Sequence, residues 1–253
     1  MMPFLKLFTI SVLSVSFICN STFAQKSKKN NQYIPTYILQ FTGGASVPLM
    51  DLSGNWPSDM SKNPIPYFMR TPGFNLGINS KLFPRVSNWG VTASISLTLF
   101  STSNLKDTTF PTGQGLFNSY SLNFLSGTIG FEYRGVSHSV IPFIGIELAT
   151  NYLWGRANYK GKTLTMKGTE RFGLNSGAGL DIRLNNKYGI VVGGKFSLLN
   201  LRGRNTGEFS SSGEYSIVDA PAGGSDARTM ASANFYIGLS YYVHSVKVKH
   251  SKK

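Results

Sequence analysis

From Tyr37 onward, hydrophobic and polar residues alternate with a period of two, the signature of strands with one apolar face. Eight runs carry the pattern: Tyr37–Val47, Gly73–Phe83, Trp89–Phe100, Ser119–Arg134, Pro142–Trp154, Arg171–Leu184, Tyr188–Leu201 and Ser232–Val243. Each is long enough for a tilted strand to cross a membrane, which takes roughly nine to eleven residues. The connections alternate in length. Pro48–Pro72, Ser101–Asn118, Gly155–Glu170 and Arg202–Ala231 are long, whereas Pro84–Asn88, Gly135–Ile141 and Asn185–Lys187 are short. Short turns on one side and long loops on the other, over an even number of strands, mark a barrel inserted in an outer membrane with both chain ends in the periplasm. The expectation is an all-β fold: an eight-stranded antiparallel transmembrane up-and-down β-barrel over residues 37–243.

The two faces of each run separate. In the sixth, Phe172, Leu174, Ala178, Leu180, Ile182 and Leu184 alternate with Arg171, Asn175, Asp181 and Arg183. In the third, Trp89, Val91, Ile95, Leu97 and Leu99 alternate with Thr92, Ser94, Ser96 and Thr98. A membrane barrel must turn the apolar face outward, because the hydrocarbon layer offers polar groups no partner. Aromatics also sort by depth: Tyr37, Trp89, Tyr133, Tyr188 and Tyr241 stand near the short turns, and Phe74, Tyr152, Trp154 and Phe172 near the long loops. Those positions predict two interface girdles. A soluble β-sandwich would alternate as well, but it predicts neither girdles nor sorted loops.

The polar face holds Lys81, Arg134, Arg183 and Lys195 against Glu132, Glu147 and Asp181. An eight-stranded barrel is just wide enough for side chains to fill, and isolated buried charges are costly. The expectation is an interior ion network that plugs the barrel. Gly44, Gly77, Gly127, Gly145, Gly177, Gly179, Gly193 and Gly238 are expected to make room for those long side chains and for bends.

Composition adds a class boundary. Charged residues are 14% and aromatics 13%, with 27 glycines and 12 tyrosines: too few charges for a typical soluble surface, too polar for helical spans. The N-terminus reads as an export signal over residues 1–24. Lys6 provides the positive charge, Leu7 to Cys19 the apolar core, and Thr22-Phe23-Ala24 the cleavage site before Gln25. A lipoprotein signal at Cys19 fits less well, since Ile18 occupies a position that needs a small residue. Cleavage would remove the single cysteine, leaving no thiol chemistry. Residues 25–36 then form a periplasmic N-terminal stretch.

The net charge of +14 is dispersed apart from two clusters, Lys26-Ser27-Lys28-Lys29 and the tail at 244–253 with Lys247, Lys249, His250, Lys252 and Lys253. Both read as solvated tails, with contact to anionic lipid or cell-wall polymer as the other reading. An exported chain meets little nucleic acid, so that partner is set aside.

The stretch Phe172-Gly-Leu-Asn-Ser-Gly-Ala-Gly-Leu-Asp-Ile-Arg-Leu-Asn-Asn-Lys-Tyr-Gly189, continuing into Gly194-Lys-Phe-Ser-Leu198, resembles the closing hairpin of outer-membrane β-barrel domains common in Bacteroidetes. Pro142-Phe-Ile-Gly-Ile-Glu-Leu148 resembles the strand before it, and Phe23-Ala24-Gln25 the signal end of that group. The resemblance spans most of the mature chain, resting on patterning, not on an invariant site. It implies an integral eight-stranded barrel, a family without one assigned activity. Gly238-Leu-Ser-Tyr241-Tyr-Val243 looks like the terminal strand that the barrel assembly machinery recognises, although a basic tail follows it here.

Chemistry is sparse. An enzymatic barrel would want a histidine near the outer rim beside a Ser, Asp or Glu, and His138, His244 and His250 lie in a short turn and the tail. No spacing suggests zinc, calcium or a phosphate loop. Glu132, Glu147 and Asp181 sit among basic residues, which favours structure over acid–base work. The expectation is no catalytic, metal or cofactor site. Three functions remain: a structural or surface-interaction barrel, a small-solute porin-like channel, and an envelope lipid-modifying enzyme, the last disfavoured. Expected partners are outer-membrane lipid, the assembly machinery, and surface or envelope molecules met by Trp56, Tyr67, Phe68, Tyr159, Arg202 and Arg204 in the loops.

Overall fold

Period-two alternation becomes strand throughout a computed structural model that describes residues 32–50, 52, 71–84, 87–103, 119–135, 139–159, 162–201, 214–215 and 230–248. The strands are β1 (Gln32–Met50), β2 (Gly73–Leu82), β3 (Trp89–Ser103), β4 (Ser119–Arg134), β5 (Val140–Tyr159), β6 (Lys162–Arg183), β7 (Tyr188–Leu198), the two-residue β8 (Glu214–Tyr215) and β9 (Met230–Val248). The export segment, His138, His250, and the loop residues Trp56, Tyr67, Phe68, Arg202 and Arg204 lie outside the described residues.

Eight long strands pair antiparallel in chain order, β7 passing to β9, and the β1–β9 pairing closes the ring. Closure removes the free edges on which an open sheet would aggregate. The β6–β7 hairpin turns on Asn185, whose Oδ1 accepts from the amides of Lys187 at 2.8 Å and Tyr188 at 2.9 Å. This is the Asx geometry that suits a tight asparagine turn. It is an internal hairpin; the barrel itself is closed by its first and last strands. Only β8 stands apart, pairing in parallel with β6 at Thr165 and Met166.

The bounds differ from the sequence expectation in two informative places. Gly155–Glu170 was expected as a loop, yet β5 and β6 run on to Tyr159 and from Lys162, leaving only 160–161 between them. A bulge between Leu153 and Gly155 shifts the register. One extra residue swaps the faces of everything beyond it, so the alternation breaks where the strand does not. At the other end β9 runs past Val243 to Val248, pairing with the start of β1. A second irregularity there spans Pro35 to Ile38, where proline has no amide to give the ladder.

Burial is inverted relative to a water-soluble fold. On β3, Trp89, Val91, Ile95 and Leu99 are exposed while Thr92, Ser94 and Thr98 are buried. The same inversion puts Ile129 and Phe131 of β4, Ile146 and Leu148 of β5, and Ile237 and Leu239 of β9 outside. From Trp89 to Leu99 is ten residue steps, about 33 Å of strand at roughly 3.3 Å each. Tilted at about 40°, that covers a band of about 25 Å, the height of the apolar belt of a membrane barrel.

Candidate functional site

The barrel interior is the place where the fold gathers chemistry, and it is built in three layers. In the middle, Lys81 Nζ donates to Glu132 Oε2 at 2.6 Å and lies 3.9 Å from the centre of the Phe143 ring. Lys195 Nζ donates to Glu147 Oε2 at 2.8 Å. Glu147 also accepts from Thr128 at 3.0 Å and from Thr92 at 3.4 Å. Carboxylates satisfied by a cation and two hydroxyls tolerate a low-dielectric interior that would reject them bare.

Arg134 and Arg183 are placed apart from those pairs. Arg134 donates to the carbonyls of Pro35 at 2.6 Å and Ser87 at 3.2 Å, with its guanidinium 3.7 Å from the Phe83 ring centre. Arg183 approaches the Tyr242 ring at 5.5 Å, and Asp181 accepts from the Tyr242 hydroxyl at 3.0 Å. The seven expected network residues thus divide into two ion pairs at mid-barrel and a cation–aromatic group at the turn end. Ile38, Phe83 and Tyr242 are buried together there. His244 stands beside them, its Nδ1 2.7 Å from Thr36 Oγ1.

Toward the loop end the lining turns to amides and hydroxyls. Ser126 donates to Asn151 at 2.5 Å, Asn151 to the Leu199 carbonyl at 2.9 Å, Asn234 to Ser197 at 3.1 Å, and Ser46 to Asn234. Above this layer sits an apolar cluster the sequence reading missed. Phe100, Leu122, Phe124, Leu153, Leu199 and Met230 are buried inside the barrel, with the two phenylalanine rings 5.7 Å apart. The signal was available: Phe100, Leu122 and Phe124 fall on the polar parity of their strands, at the same end. Among the described residues, two adjoining cavities of about 30 Å³ each share Asn79, Lys195 and Tyr236 in their walls. Each is about the size of one water.

Glycine makes room for close backbone approach at Gly44 and Gly238, where a Cβ would meet the Phe235 and Phe41 carbonyls, and for inward rings at two positions. A Cβ on Gly193 would come within 2.6 Å of the Tyr236 hydroxyl, and one on Gly179 within 2.6 Å of Phe143 Cζ. Gly127 departs from its expected part: it is exposed on the outer parity of β4, where a Cβ would meet nothing within 4 Å.

Outside, the nine aromatics occupy both margins of the apolar band. Trp89 faces Tyr133 across β3–β4 with ring centres 5.1 Å apart, and Tyr188 faces Tyr241 across β7–β9 at 5.5 Å. Tyr37, on the same outer parity of β1, accepts a hydrogen bond from Ser80 at 3.4 Å. Near the loops, Phe74, Tyr152 and Phe172 are exposed and Trp154 lies 5.7 Å from Tyr152. Among the described residues no three His, Cys, Asp or Glu side chains are grouped to hold a metal ion.

No protein-family model matches the chain, and no curated protein matches it. Solved structures that it resembles are outer-membrane proteins at low identity. Neisserial surface protein A is 11% identical over 82% of this chain and 97% of that one, with a TM-score of 0.46. OprG of Pseudomonas aeruginosa is 14% identical over 87% and 100%, at 0.47. The attachment invasion locus protein Ail of Yersinia pestis, solved with the heparin analogue sucrose octasulfate, is 14% identical over 82% and 98%, at 0.42. The closed eight-stranded barrel rests on its own strand pairing, with an outer surface that is apolar around every wall.

Proposed function

We propose that this chain is an integral outer-membrane protein, exported by its N-terminal segment and acting through its loop end in a structural or surface-interaction role. The observation that carries the reading is the exposed apolar band. Leu76, Ile95, Ile129, Leu148, Val192 and Leu239 stand in the open on six different strands, an arrangement that water penalises by roughly 25 cal/mol for each Å² of apolar surface. Hydrocarbon removes that penalty, and a closed barrel leaves no unpaired backbone in it. The aromatic pairs at both margins support the same placement. The test is gel mobility of the folded protein before and after boiling, together with cell fractionation. A heat-dependent shift and an outer-membrane location are expected; a periplasmic protein without a shift overturns the reading.

The interior is proposed to be closed. Support comes from the apolar cluster at the loop end and the Phe83–Arg134 contact at the turn end, with ion pairs filling the space between them. A porin-like channel would need a continuous wet path past both ends, so planar-bilayer recordings of the folded protein are expected to show no steady conductance. No histidine faces the loop end among the described residues, which favours a non-enzymatic role without cofactor.

A further inference from the structure

Most inward polar side chains of this barrel are spent on one another, but a group at its centre is not. Asn79 of β2, Ser96 and Thr98 of β3 and Tyr236 of β9 form no side-chain hydrogen bond among the described residues. Lys195 of β7 gives Glu147 only one of its three N–H groups. All five line the cavity on the loop side of the Lys195–Glu147 pair. Thr98 is only 3% exposed, so its hydroxyl has no solvent to turn to. Gly77, inward between Asn75 and Asn79 and paired with Ser96, puts no side chain into the space. Buried polar groups without a protein partner mark a place where something else supplies one.

Charge selects what that is. The wall of this cavity holds one charged side chain, Lys195, and no carboxylate; Glu132 and Glu147 line the adjoining cavity toward the turn end. The wider interior leans the same way. Arg171, buried on the inward parity of β6, joins the four cations and three carboxylates described above, giving five positive charges against three negative. Each of the five uncommitted groups can donate, through an ammonium, three hydroxyls and an amide. Phe124 closes the same cavity toward the loops, and a dry wall strengthens attraction between charges. A buried anion is tolerated only where a cation and convergent donors replace its hydration, and this cavity has both. Size narrows the class further. About 30 Å³ is the share of one water, room for a bare halide but not for sulfate, phosphate or an organic acid.

We propose that this cavity binds one small monovalent anion of the halide class, drawn by Lys195 and held through hydrogen bonds from Tyr236, Ser96, Thr98 and Asn79. The anion serves as the internal counter-ion of an interior with surplus positive charge, and it ties β2, β3, β7 and β9 together at mid-barrel. A water in the same space would fill it but bring no negative charge. The site lies wholly inside the closed wall, so it does not depend on where the barrel resides.

The test is urea unfolding of the protein in zwitterionic lipid vesicles at constant ionic strength, with sodium bromide exchanged stepwise for sodium gluconate. A ligand that binds only the folded barrel raises its stability with concentration, so the midpoint is expected to climb as bromide replaces gluconate. Thr98→Val and Tyr236→Phe keep the shape of each side chain and remove two donors. The double variant should need at least about tenfold more bromide for the same rise. Crystals of the wild-type protein grown in bromide should show an anomalous peak beside Lys195 and Tyr236. A wild-type midpoint that ignores bromide overturns the proposal. So does an equal rise in the double variant, which is a general salt effect, or a bromide crystal with only water in the cavity.

Discussion

Lys195 of β7 and Glu147 of β5 meet at 2.8 Å although β6 lies between their strands. The crossing passes over Gly177 of β6, which is paired with Lys195 and keeps the intervening position free of a side chain. Breaking this pair on one side leaves a charge inside the barrel. Lys195→Met is expected to lower stability by about 3 kcal/mol, whereas Lys195→Met with Glu147→Leu should fall within about 1 kcal/mol of wild type. Urea unfolding in lipid vesicles, followed by tryptophan fluorescence, measures both. Equal losses in the single and double variants would show that the pair is not coupled.

If the interior is closed as proposed, the apolar cluster at the loop end and the Phe83–Arg134 contact at the turn end act as independent barriers. Phe124→Ala should destabilise the barrel by about 3–5 kcal/mol through the space it leaves, yet conduct no current, because Phe83 and Arg134 still close the far end. Steady conductance is expected only when Phe100 and Phe124 are truncated together with Phe83. Bilayer recordings of the two variants decide whether both barriers are real.

Glycines on the two sides of the wall should respond oppositely. Gly193→Ala forces a methyl against Tyr236, with an expected loss of about 1–3 kcal/mol from overpacking. Gly127→Ala faces open space and should be neutral or stabilising by about 0.5 kcal/mol. Unfolding midpoints of the two variants provide the comparison.

Depth in the bilayer grades the outer face. Ile95→Arg, near the middle of the band on β3, should cost about 2–4 kcal/mol, and Leu184→Arg beside the Asn185 turn no more than about 1 kcal/mol. A soluble protein would tolerate both alike, so equal small effects would argue against membrane insertion.

Alternation made the walls legible. Ser119–Arg134 begins and ends in the structure where the pattern placed it, and the outward positions of β3 and the turn at Asn185 follow the same logic. Legibility ended where register entered. Phe100, Leu122, Phe124 and Leu153 are unremarkable apolar residues singly; they become one buried cluster only once pairing brings one end of three strands together. Likewise the interior charges were readable as residents of the polar face, but not their division. Glu147 meets Lys195 across an intervening strand, while Arg134 turns away to carbonyls of Pro35 and Ser87, partners no side-chain pattern encodes. The β5–β6 extension was hidden by a single added residue that exchanged its faces.

Closure by β1 and β9 carries a cost in time. Gln40 and Ser240 share a hydrogen bond across 200 positions, so the contact that completes the wall joins nearly the first strand residues made to nearly the last. Until β9 is released, every partial sheet presents two raw edges and half an apolar belt to water, the condition in which chains stick to one another. No stretch of this protein short of the whole can close its wall, so on the proposed outer-membrane reading the unfinished chain is expected to need something that holds it apart until the last strand is made.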